Sequence, residues 1–339
     1  MKALRKYIEN WDALHKNILD TTERLINIQI EIEKIKEEIK SEKNKELKNK
    51  KRTELATLLE QEQSCIIGEK NNTGWDFPIK KLGNQNPTFR YFPEPYYIND
   101  KDKNVDIVFV NINPAKGGPT QDIGNEGQRS KDLFNNCKYS ENIGNYLASR
   151  DQNGTAKWFF DNRVEWAAKL IGVNSVNINV LCSDLVPWHT YKASGISDYI
   201  KIDANKKAIK DKVLIPINEI AQEISREETK CKIFVRGVTF RNVINDLSIN
   251  ATQQKKKQFE KVKNRIVKHY LIIKKNSVFE EFISMLTVIK IGKNRWFLFT
   301  GASSMQLPKL DDDYLVYPIN SYDSHGNKLR DFLLKKHNS

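Results

Sequence analysis

The chain has 339 residues, 39% of them hydrophobic and 29% charged, a balance that suits a soluble globular protein with a full core and two or three folding units. No apolar run is long enough to span a bilayer, and the opening M-K-A-L-R-K-Y-I-E-N-W lacks the apolar centre of a secretion signal, so a cytoplasmic location without membrane contact is expected. A net charge of +13 favours a polyanionic partner, while the scattered Cys65, Cys137, Cys182 and Cys231 and five widely spaced histidines offer neither disulfide nor metal-ligand spacing, so no cofactor is expected.

Residues 1–64 read as helix. Leu14, Ile18, Leu25, Ile28, Ile32, Ile35 and Ile39 follow mostly three- and four-residue steps, a heptad-like seam. The stretch from Glu37 to Arg52 is nearly all charged, and Leu47 within it with Leu55, Leu58 and Leu59 beyond it gives a weaker apolar stripe. This pattern predicts a helical hairpin or coiled coil, either a solvated arm or a module for self-association.

From residue 65 onward the texture is that of a second unit, 65–339, rich in aromatics, prolines and glycines. T-F-R-Y-F-P-E-P-Y-Y-I (Thr88 to Ile98) reads as a rigid loop, and V-D-I-V-F-V-N-I-N-P (Val105 to Pro114) as a buried strand stopped by proline. A helix is predicted over Lys157 to Leu170, with Trp158, Phe159, Val164, Trp166 and Leu170 roughly on one face. Further strands are predicted at Ser175 to Leu181, Lys232 to Val235 and Arg295 to Thr300, with a helix near Phe240 to Leu247. Strands alternating with helices predict an α/β fold, a three-layer α/β/α domain with a mainly parallel sheet. Between Gln253 and Lys275 nine lysines and arginines face a single acid, Glu260, and this stretch predicts a basic helical insertion at about 250–290.

Ligands of parallel α/β sheets bind beyond the carboxyl ends of the strands. Three predicted strand ends carry suitable polar residues: N-I-N-P-A-K-G-G (Asn111 to Gly118), N-I-N-V-L-C-S-D-L-V-P-W-H-T (Asn177 to Thr190) and T-G-A-S-S-M-Q-L-P-K (Thr300 to Lys309). Each alone is ordinary turn chemistry. Their occurrence after successive strands is the more specific signal.

N-I-N-P-A resembles the N-P motif of the uracil-DNA glycosylase superfamily, in its mismatch-specific and single-strand-selective branches, and P-E-P-Y resembles its bacterial members. The resemblance covers about Thr88 to Leu334. It implies a monofunctional glycosylase acting on a base flipped out of DNA. Asn113 takes the place of the asparagine that orients the attacking water, and Asn179 that of the asparagine that reads the pyrimidine edge. Ser303 then holds phosphate and Met305 wedges into the vacated stack. Ser304, Gln306 and Lys309, with Lys255, Lys256 and Lys257, complete the expected DNA surface. The small Ala115 after the proline leaves room for a 5-substituted pyrimidine, so the expected substrate is a damaged or modified base, as in phage DNA.

The sequence departs from the family pattern in two places. Asn111 stands where the family has glycine, and the third-motif histidine is absent. Asp184 or His189 could contact the base in place of Asn179, the carboxylate preferring an exocyclic amine. A non-catalytic nucleic-acid-binding module on the same fold is the alternative.

Overall fold

A computed structural model describes residues 1–73, 96–112, 160–187, 200, 202–224, 232–236, 266–275, 280–291, 294–300, 307–319 and 325–334. The chain opens with two long helices, α1 (Lys2–Ser41) and α2 (Lys45–Thr73), packed against each other as a hairpin. No glycine or proline interrupts α1. The Asn44 side chain accepts from the backbone N–H groups of Glu46 and Leu47 (2.9 and 3.3 Å) and so caps α2. Leu14, Ile28, Ile32 and Ile35 of the expected seam are buried with Leu58 and Cys65 of α2. Gln29 donates to the buried Glu62 carboxylate at 3.1 Å, a polar pair inside that seam.

The apolar stripe of α1 begins earlier than the seam. Leu4, Tyr7, Ile8 and Trp11 are buried at helical spacing in the same core as the sheet. The start of α1 is held by Glu223 of α4 (Ile215–Ile224), whose carboxylate accepts from the backbone N–H groups of Lys2 and Ala3 at 2.8 and 2.7 Å. The first turns of the hairpin therefore belong to the core of the α/β unit.

Nine strands form one sheet: β1 (Tyr96–Ile98), β2 (Ile107–Asn111), β3 (Val180–Asp184), β4 (Lys232–Arg236), β5 (Ile266–Lys275), β6 (Glu280–Ile291), β7 (Asn294–Thr300), β8 (Tyr314–Pro318) and β9 (Asn327–Lys328), in the order β1-β3-β2-β4-β7-β6-β5-β8-β9. The fold is α/β, but the sheet is mixed and not mainly parallel. Of eight described pairings, β3–β2, β2–β4 and β4–β7 are parallel and the other five antiparallel. Two corrections to the sequence reading explain most of this, and the unexpected strands β8 and β9 add the rest. The end of P-E-P-Y-Y-I is a strand, β1, antiparallel to β3. The predicted basic helical insertion is, in its described part, the antiparallel pair β5–β6. Ile266, Val267, Ile272 and Ile273 are β-branched and favour a pleated, half-buried surface, which the lysine run obscures.

Helices pack on both faces of the parallel strands. Trp166 of α3 (Glu165–Ile171) lies 5.8 Å from Phe109 and 5.1 Å from Phe234, ring centre to ring centre, both edge-on. On the opposite face Tyr7 of α1 reaches Ser183 and stacks at a tilt on Tyr96, 5.6 Å away. A π-helical turn (Phe160–Val164) leads into α3, which Gly172 ends in the left-handed conformation (φ 84°). Beyond β9, α5 (Leu329–Leu334) ties back through Arg330 Nε, which donates to the Leu170 carbonyl at 3.1 Å.

Candidate active site

The four parallel strands take the spatial order second, first, third, fourth of their chain order (β3-β2-β4-β7). Such an order has a topological switch point between β2 and β4, with a crevice outside their carboxyl ends. Leu185 and Val186 continue the ladder past β3 by donating their N–H groups to the carbonyls of Asn111 and Ile112, both at 3.0 Å. The ends of β2 and β3 are thus held in register up to the residue before Asn113.

A buried polar cluster lies beneath this edge. Arg163, in the π-helical turn, is 2% exposed, and its guanidinium sits 5.2 Å over the Phe109 ring. Its Nη2 donates to Asn111 Oδ1 at 3.2 Å, and Asn111 Nδ2 donates to Cys182 Sγ at 2.8 Å. Asp184, 2% exposed, lies opposite Asn111 in the β2–β3 register. Burial lowers the Arg163 pKa, opposed by its interaction with Cys182 and by the charge of Asp184. Burial, reinforced by Asp184, pushes the Cys182 thiol up to about 12. Burial also raises the Tyr7 phenol well above its ordinary value, although its hydrogen bond to Ser183 Oγ (2.7 Å) opposes the shift. With both acids raised, neither Cys182 nor Tyr7 is poised for nucleophilic or general-base work near neutral pH. The cluster instead fixes the end of β2.

Asn111 therefore does not crowd the crevice as a free side chain. Both ends of its amide are engaged by Arg163 and Cys182.

Asn179 is at the wrong end for the role the sequence suggested. The second strand starts at Val180 rather than Ser175, and Ser175–Asn177 form a 3-10 turn begun by the Asn174 side chain, which accepts from Val176 N–H at 3.1 Å. Asn179 precedes β3, at the amino end of the parallel strands, and is 3% exposed. Its Oδ1 accepts from Asp100 N–H at 3.0 Å, and its Nδ2 donates to the carbonyls of Asp100 (2.6 Å) and Lys103 (3.1 Å). Asn179 is a clamp on the loop before β2 and cannot read a base at the carboxyl edge.

Asp184 is at the proper edge but shielded from solvent. Lys309 is exposed next to Pro308, whose carbonyl accepts from Trp166 Nε1 at 2.8 Å. Because Trp166 also packs edge-on against Phe299, Pro308 and with it Lys309 lie over the Trp166 face of the sheet. Asn113, Ala115, His189, Ser303, Ser304, Met305, Gln306, Lys255, Lys256 and Lys257 lie outside the described residues.

Arg163 and Tyr7 were not singled out from sequence, although each carries a signal. Arg163 shares a helical face with Trp166, Ala167 and Leu170, and a charge on an apolar face implies a buried partner. Tyr7 belongs to the stripe Leu4, Tyr7, Ile8 and Trp11.

Among the described residues no group of three or more His, Cys, Asp or Glu side chains is placed to share a metal ion. No helix among them is long and apolar enough to cross a membrane. Compared with protein-family models, with curated proteins and with solved structures, the chain matches none of them.

Proposed function

We propose that the chain is a monofunctional DNA glycosylase of the uracil-DNA glycosylase type, a three-layer α/β/α domain that hydrolyses the N-glycosidic bond of a flipped, damaged or 5-substituted pyrimidine and leaves an abasic site. One observation carries the reading. The first and third motifs and the part of the second beyond Asp184 follow β2, β7 and β3, parallel members of one sheet, and so leave from one edge. Asn113 follows Ile112 directly at the switch-point strand.

The chemistry suits such an edge. Cleaving the glycosidic bond builds positive charge on the sugar and negative charge on the departing base, and a fixed dipole with a held water lowers that barrier without strong acid–base groups. Asn113 positions the water through its carbonyl. With Asn179 assigned to the opposite end, His189, five residues past the end of β3, takes over as reader of the pyrimidine edge, and Ala115 leaves space for a 5-substituent. Ser303, Ser304, Met305 and Gln306, which follow β7, hold phosphate and fill the vacated stack. Excision of modified bases from phage DNA is the role we propose for this activity.

The test is incubation of the protein with oligonucleotides carrying uracil, mismatched thymine or 5-substituted pyrimidines, and with modified phage DNA, followed by alkali. Strand cleavage at abasic sites by the wild type, lost in Asn113→Ala, supports the reading. The burial of Asp184 and the diversion of Asn179 favour one rival, a DNA-binding module without catalysis. Tight binding of these DNAs with no base release from any of them would establish that rival.

A further inference from the structure

The helical hairpin runs out past the edge at which the candidate site lies. α1 starts at the amino edge, where the Val105 N–H, two residues before β2, donates to Met1 Sδ at 3.3 Å. Further along α1, Tyr7 reaches Ser183, the last residue but one of β3, and packs against Tyr96, which pairs with Ser183. Helical side chains lean toward the helix N-terminus, so the Tyr7 backbone lies further along still. α1 therefore runs in the direction of the parallel strands. From Tyr7 to its end at Ser41 it extends for roughly 50 Å at ~1.5 Å per residue, and it carries the turn into α2 beyond the carboxyl edge.

The tip of this arm concentrates positive charge. Between Lys40 and Arg52 seven lysines and arginines stand against two acids, Glu42 and Glu46. Lys40 is paired with Glu37 at 2.6 Å and Lys51 with Glu38 at 3.2 Å. Lys43, Lys45, Lys48, Lys50 and Arg52 have no ion pair among the described residues, and all but the half-buried Lys48 are exposed. Lys45, Lys48 and Arg52 are three and four residues apart and so share one face of α2, which Asn49 and Ala56 extend without a carboxylate. Like charges at this spacing destabilise a helix, and side chains this exposed gain no burial to offset it. The apolar side of α2, with Leu55 and Leu58, is turned toward α1 and is not available to a membrane.

We infer that the tip of the hairpin is a phosphate contact for duplex DNA, in which Lys45, Lys48 and Arg52 hold the backbone at a distance from the nucleotide at the end of β2. Cations without fixed acceptors bind phosphates irrespective of sequence and gain affinity by releasing counterions. A duplex is stiff over the length of the arm, so one molecule bridges the sheet edge and the tip. At ~3.4 Å per base pair the tip meets it about fifteen base pairs from the candidate site. The arm thus adds affinity and fixes the direction of the duplex, and takes no part in bond cleavage. The inference rests on DNA as the partner in the reading above, but not on base release.

The experiment measures fluorescence anisotropy of a labelled duplex of about 40 base pairs, long enough to pass both the sheet edge and the tip, with the full chain over a series of salt concentrations. A tip variant combining Lys45→Gln, Lys48→Gln and Arg52→Gln binds more weakly, and its slope of log affinity against log salt is shallower by about three. A control of equal charge loss, Lys101→Gln, Lys103→Gln and Lys169→Gln, on the 100–103 loop and the last turn of α3, keeps the wild-type slope. Thermal melting of each variant establishes that the fold is intact. A wild-type slope in the tip variant would overturn the inference. So would an equal loss in the control, which would make net charge alone responsible, or binding of anionic lipid vesicles and not of the duplex by the wild type. Base release assayed on the same samples separates the two claims. Tip-dependent binding without release from any substrate removes the glycosylase reading alone, and release with an unchanged slope in the tip variant removes the tip contact alone.

Discussion

The tripeptide Asn-Ile-Asn occurs twice, at 111–113 and 177–179, and the copies lie at opposite ends of neighbouring parallel strands. At the first, the apolar run I-V-F-V comes before the tripeptide, so Asn111 closes β2. At the second, the run V-L-C follows, so Asn179 stands outside the start of β3. Asn111 is engaged by a buried arginine and a thiol beneath the carboxyl edge, and Asn179 by the main chain of the 100–103 loop at the amino edge. Polar residues of one type thus do different work according to which side of the hydrophobic run they fall. The Asn179 side chain is held by main-chain groups, whereas the Asn111 side chain is held by a buried guanidinium and a thiol.

The largest effect that sharpens this contrast is expected at the carboxyl edge. Arg163→Met removes a buried guanidinium that bonds Asn111, covers the Phe109 ring and is attracted by Asp184, and should cost ~3 kcal/mol in denaturant unfolding. Adding Asp184→Asn should recover part of that loss, because the two changes are coupled. If Arg163→Met is no less stable than the wild type, the charges do not organise that edge. At the amino edge Asn179→Ala strands backbone groups of Asp100 and Lys103 and should cost roughly 1–3 kcal/mol. That change should leave DNA binding intact, and weakened binding in the folded variant would break the contrast.

Much of the strand pattern was legible in the sequence. The apolar runs ending at Asn111, at Arg236 and at Thr300 stand out, as does the helix around Trp166. What the sequence hid has physical causes. Asn177 and Asn179 next to a strand look like strand residues until the Asn174-capped turn takes them out of it. The lysines around β5 carry the charge density of a solvated helix, and only pairing with β6 and β8 buries Ile272 and Ile273. The contact between Tyr7 and Ser183 joins residues far apart in the chain, so no local pattern announces it.

The smallest effect concerns pH. Cys182 has a folded value of about 12 against an ordinary 9.0, and Tyr7 is raised as well. A group raised in this way contributes stability that is complete below its unfolded value and is lost as pH rises toward the folded one. The melting temperature should therefore fall as pH climbs from 9 toward 12, and Cys182→Ala should flatten part of that fall. An unchanged slope in Cys182→Ala would show that the thiol is not held protonated by the fold.

The contrast between the two edges is tested most directly by comparing base release in Asn113→Ala and Asn179→Ala on the same modified-pyrimidine oligonucleotides. Asn113→Ala should melt like the wild type and lose release by roughly a hundredfold or more, in the range seen when one positioned polar group is removed. Asn179→Ala should release base at the wild-type rate per folded molecule while melting at a lower temperature. Release that survives Asn113→Ala but vanishes in folded Asn179→Ala would place the chemistry at the opposite edge and contradict the account.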